Sequence, residues 1–73
     1  MYNPQLTTFI SVAENGSFSK SADVLYITPT AVMKQINALE ERLGITLFER
    51  TNHGLKLTEA GKSFLQYAKY IVD

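Results

Sequence analysis

Thr28-Pro29-Thr30-Ala31-Val32-Met33-Lys34-Gln35-Ile36-Asn37-Ala38-Leu39-Glu40-Glu41-Arg42-Leu43-Gly44 reads as a single helix with both ends marked. The Thr28 hydroxyl can accept from the free N–H groups of a first turn, and Pro29 suits the first helical position, where no backbone N–H is needed. Gly44 is the residue expected just past the end. Val32, Ile36, Leu39 and Leu43 recur at i, i+4, i+7 and i+11, which makes one apolar stripe at about 100° per residue. Thr30, Met33, Lys34 and Asn37 project from the opposite side. The spacing therefore predicts a helix over residues 29–43, buried along one face and open along the other.

Upstream, Pro29 disfavours helical geometry at Thr28, so any preceding helix must end near Tyr26. Ser17-Phe18-Ser19 offers hydroxyl caps for that helix, with Phe18, Ala22 and Leu25 on its buried side. The small Ser21-Ala22 pair suits a close crossing over the third helix. Before it, Asn3 and Pro4 open a first helix in which Leu6, Phe9, Ile10 and Ala13 keep helical spacing, and Gly16 supplies the stop.

Downstream the pattern changes. Ile45 to Arg50 is short and β-tolerant, Thr51-Asn52-His53-Gly54 is turn chemistry, and Leu55-Lys56-Leu57 alternates, so a small hairpin is expected. Thr58 then caps a last helix carrying Ala60, Phe64, Tyr67, Ala68 and Ile71. Two helices joined by a short turn, the second with a polar outer face, are the parts of a helix-turn-helix, and a hairpin directly after them is a wing. The expected fold is mainly α: a winged helix-turn-helix with a three-helix core, a two-stranded β-hairpin wing and a C-terminal helix.

The 73 residues hold one small domain, and an apolar fraction of 45% suffices for one core. There is no cysteine, only one histidine and no convergent carboxylate pair, so catalytic and metal-binding residues are lacking and no cofactor is expected. No apolar run is long enough for a membrane span, and Met1-Tyr2-Asn3-Pro4-Gln5 lacks the form of a signal peptide, which makes the cytoplasm the expected location. Seven basic residues balance seven acidic ones, so the formal net charge is zero. Duplex DNA draws affinity from Lys and Arg that displace counterions, so position, not total charge, must decide the matter.

Phe9-Ile10-Ser11-Val12-Ala13-Glu14-Asn15-Gly16-Ser17-Phe18-Ser19-Lys20-Ser21-Ala22 resembles the opening of the LysR-type transcriptional regulators. Gln35 to Gly44, Leu47-Phe48-Glu49-Arg50-Thr51 and Leu57-Thr58-Glu59-Ala60-Gly61 continue that resemblance in order. It implies a DNA-binding domain over residues 1–58 and, over 59–73, the truncated start of a linker helix that pairs two copies. It also implies a double-stranded, pseudo-palindromic operator as partner, and a missing C-terminal domain for a small-molecule effector. Where the family usually reads Ser-Gln-Pro-Ala-Val-Ser-Arg, this chain has Thr28-Pro29-Thr30-Ala31-Val32-Met33-Lys34, so the family's base preferences do not carry over.

Together these readings place the third helix in the major groove and the wing, residues 51–54, at the minor groove. The candidate DNA contacts are Ser17, Ser19, Lys20, Thr28, Pro29, Thr30, Met33, Lys34, Asn37, Arg50, His53, Lys56 and Thr58. Met33 serves either as a hydrophobic neighbour contact or as a partner for thymine methyl groups. Arg50 either meets a phosphate or ties the hairpin to a nearby Glu. The candidate pairing residues are Phe64, Leu65, Tyr67, Ala68, Ile71 and Val72. The rival reading is a winged helix used as a protein-interaction module without DNA contact, for which the zero net charge is the best support.

Overall fold

The computed structural model describes residues 3–72, with Val72 described in its backbone only. The elements follow in the order α1 (Pro4–Asn15), α2 (Phe18–Leu25), α3 (Pro29–Leu43), β1 (Phe48–Thr51), β2 (Gly54–Leu57) and α4 (Glu59–Val72). This is the winged helix-turn-helix.

The helix ends lie where side-chain chemistry puts them. Asn3 Oδ1 accepts from Gln5 N at 2.9 Å, Ser17 Oγ from Lys20 N at 3.3 Å, Thr28 Oγ1 from Ala31 N at 3.0 Å and Thr58 Oγ1 from Gly61 N at 2.9 Å. Gly16 and Gly44 close α1 and α3 in the left-handed region, at φ 71° and 70°. α2 ends without a glycine: Tyr26 takes φ 60° there. That conformation costs a residue with a Cβ roughly 1–2 kcal/mol. Pro29 disfavours helical geometry at Thr28, which is extended, so α2 has to end before it.

The core gathers Leu6, Phe9 and Val12 of α1, Ala22 of α2, Val32, Ile36 and Leu39 of α3, Leu47 and Phe48 at the start of the hairpin, and Ala68 of α4. Phe9 lies at its centre, with ring centroids 5.5 Å from Phe48 and 5.3 Å from Phe64. Leu43 departs from the expected stripe and is 39% exposed, because the covered part of α3 ends one turn earlier at Leu39.

The first strand also begins later than Ile45. Glu40 Oε2 accepts from Leu47 N at 2.7 Å and from Phe48 N at 3.3 Å, while Leu47 O receives Thr58 N at 3.0 Å. The Leu47 N–H thus goes to Glu40 and not across to Thr58, and the paired strands start at Phe48↔Leu57. The register continues through Glu49↔Lys56 and Arg50↔Leu55 to Thr51↔Gly54, which leaves Asn52 and His53 as the turn.

At the α2–α3 crossing Ser21 is fully buried, and its hydroxyl has no hydrogen-bond partner among the described residues. An unmet buried hydroxyl costs about 1–3 kcal/mol, and alanine is also the better helix former. Ser21→Ala should therefore raise stability by about 1 kcal/mol, seen as a higher urea midpoint at unchanged slope. A lower midpoint would mean that the hydroxyl is satisfied.

Candidate nucleic-acid interface

Helical geometry divides α3 into a core side, an outer side and two flanks. Val32, Ile36 and Leu39 face the core, whereas Thr30, Lys34 and Asn37 are exposed on the outer side. Gln35 lies on one flank and accepts a hydrogen bond from the buried Thr8 of α1. Met33 and Glu40 lie on the other, about a quarter-turn from the core stripe. Glu40 there holds the first residues of the hairpin, so that flank faces the wing. Met33 is accordingly half-buried, where the sequence placed it fully outside.

Between α2, α3 and the β-ribbon lies a cleft of about 360 Å³. Ser17, Phe18 and Ser19 contribute from the start of α2, Met33 from α3, and Arg50, Thr51 and Leu55 from the ribbon. The register explains why Arg50 is there. Alternation along the strands places Arg50 and Leu55 on one side of the ribbon with the buried Phe48, and Glu49 and Lys56 on the other. The Arg50 guanidinium stands 5.4 Å from the centroid of the Phe18 ring, and it forms no ion pair among the described residues. The alternative of a Glu tie is therefore replaced by a cation–π contact, which holds the guanidinium in place while its donors stay open.

Some of the charged residues are engaged within the fold and others are not. Glu14 pairs with Lys69 at 3.5 Å and Glu59 with Lys62 at 3.4 Å, both at α4, while Glu40 is turned onto the hairpin backbone. Arg42 Nη1 donates to Gln5 Oε1 at 2.9 Å. Lys20, Lys34, Arg50 and Lys56 enter no ion pair among the described residues. Arg50 lines the α2–α3–wing cleft, and Lys20, Lys34 and Lys56 are next in sequence to its lining residues Ser19, Met33 and Leu55.

The remaining candidates divide by what their groups already do. Ser19, Lys20, Thr28, Pro29 and Thr30 are exposed, and His53 is exposed in the turn with its N–H donating to Thr51 Oγ1 at 3.2 Å. Thr58 is a correction. Its hydroxyl donates to Thr46 O at 2.6 Å and accepts from Gly61 N, so it has no proton left for a phosphate.

On α4, Ala68 is also a correction: it is fully buried and has no surface to offer a partner. Phe64 and Leu65 are partly buried against the same core. Tyr67 and Ile71 are exposed, together with Tyr70 at 86%, which the sequence reading left out of the pairing set. The Val72 side chain lies outside the described residues.

The family model for the bacterial regulatory helix-turn-helix proteins of the lysR family matches residues 4–62. The chain belongs to this family. It is 46% identical over 68 residues to the HTH-type transcriptional regulator ClcR of Pseudomonas putida, covering 93% of this chain and 23% of that protein. It is 49% identical over 70 residues to the HTH-type transcriptional activator AllS of Salmonella typhimurium, covering 94% and 23%. The chain thus spans about a quarter of the length of these two relatives.

Among the solved structures similar over 99% of the chain are two complexes with DNA. A crystal structure of a CbnR_DBD–DNA complex gives a TM-score of 0.92 at 40% identity and is covered over 83% of its own chain. A BenM_DBD/benA site 1 DNA complex gives 0.92 at 42% identity and 81% coverage. Among the described residues of this LysR-type domain, no helix is long and apolar enough to cross a membrane, and no group of His, Asp or Glu could hold a metal ion.

Proposed function

We propose that this domain binds double-stranded DNA as the reading module of a cytoplasmic transcription regulator, with no catalytic role. α3 lies in the major groove and the Asn52–His53 turn reaches the adjacent minor groove. The observation that carries this reading is the cleft itself. The polar start of α2, the flank of α3 and the aromatic-backed Arg50 line one opening, with Lys20 and Lys34 next to it in sequence. The rival reading as a pure protein-interaction module rests on the zero net charge, but Glu14, Glu40 and Glu59 are engaged within the fold while Lys20, Lys34, Arg50 and Lys56 enter no ion pair among the described residues. DNA complexes among the structural relatives support the same reading.

Pairing through α4 completes the proposal. Tyr67, Tyr70 and Ile71 leave apolar and aromatic surface uncovered on the last helix, and such surface on a small domain marks an interaction site. A two-fold pair sets two recognition helices about one DNA turn apart and suits a pseudo-palindromic operator.

Lys34→Ala tests the docking. As a phosphate contact, Lys34 contributes across sequences, so its loss should weaken binding to unrelated duplexes alike and lower the salt slope by about one. Fluorescence anisotropy over a salt series measures both quantities. Unchanged affinity and slope would overturn the placement of α3, and failure of the parent chain to bind any duplex at low salt would overturn the function.

A further inference from the structure

We infer that Met33 is a specificity-determining residue that reads the C5-methyl group of thymine. This rests on the proposed binding of DNA by the outer side of α3. Met33 sits where that side meets the wing, half-buried, at the rim of the cleft it shares with Phe18 and Leu55. Its neighbours on the outer side, Thr30, Lys34 and Asn37, all carry donors suited to phosphate oxygens or to N and O atoms on base edges. Methionine carries no donor and only a weak acceptor, so it cannot take part in that readout.

The major groove presents one apolar group, the thymine C5-methyl, and apolar side chains are its complement. Methionine fits the task, being long, unbranched and polarisable. Phe18 and Leu55 line the same cleft, so its apolar surroundings suit the methionine side chain.

The test uses the complete chain and a duplex selected by it from a random pool. Each thymine is replaced singly by deoxyuracil, which lacks only the methyl group. The parent should lose about fourfold in affinity at one position per half-site, the worth of burying one methyl group. Met33→Ser should bind the unmodified duplex more weakly and show no loss at that position. Met33→Leu, which keeps an apolar end, should retain the loss, with thermal melts establishing that both variants are folded. Indifference of the parent to deoxyuracil at every position would overturn the inference, as would an undiminished loss in Met33→Ser, and both would leave DNA binding standing. Binding to no duplex at all would remove the underlying function instead.

Discussion

Gly61→Ala is expected to lower the thermal unfolding midpoint by about 10–20 °C, although alanine is the better helix former. Gly61 lies inside α4, where replacing glycine by alanine normally gains about 1 kcal/mol. A Cβ built at this position, however, would stand 2.2 Å from Leu47 O and 2.9 Å from Leu57 Cδ2. The leucine tip can turn away. The carbonyl cannot, because Leu47 O already receives Thr58 N at 3.0 Å and Leu47 N is held by Glu40. Relief must come from lifting α4 off the hairpin, which puts those bonds at risk at about 1 kcal/mol each, on top of the 1–3 kcal/mol usual for overpacking. The clash therefore outweighs the propensity gain by about 2–3 kcal/mol. In a domain of this size each kcal/mol moves the midpoint by about 4–8 °C. Circular dichroism melts of the two proteins decide the sign, and a variant at least as stable as the parent would show that the contact relaxes without cost.

Phe9→Ala should cost more, about 3–5 kcal/mol, as expected for removing a fully buried phenyl ring. A 73-residue domain is worth only about 4–11 kcal/mol in total, so the variant should be partly unfolded near 37 °C. The site follows the core here. Phe9 packs between Phe48, at the base of the wing, and Phe64 of α4, so its loss loosens the hairpin that carries Arg50. Phe9→Leu keeps most of the volume and should lose distinctly less. Urea unfolding followed with the fraction of binding-competent protein measures both effects. A cost below about 1 kcal/mol for Phe9→Ala would contradict the position of the ring at the junction of the three elements.

The helices and their ends were legible in the order of residues, because each depends on groups within about four positions of one another. Asn3 caps α1, Ser17 caps α2, Thr28 and Pro29 start α3, and Gly44 ends it, each through a bond to a near neighbour. The apolar stripe Val32, Ile36 and Leu39 is periodic for the same reason. Three helices, a hairpin and a last helix follow from those local signals taken in order.

What the tertiary structure alone decided depends on groups that meet from distant positions. Glu40 reads as one more exposed helix acid until the chain returns Leu47 and Phe48 to its carboxylate. Gly61 reads as one more position of the last helix, and the group that requires it, Leu47 O, lies outside any local window. The Thr58 hydroxyl reads as a free donor near DNA until Thr46 O takes its proton. Ala68 and Tyr67 are adjacent on an apolar helix, and only the packing of α1 against α4 sends one to the core and the other to the surface. Met33 became a half-buried rim residue because the wing folds back beside α3. Periodicity tells which residues share a face of a helix; what covers that face is set by the whole chain.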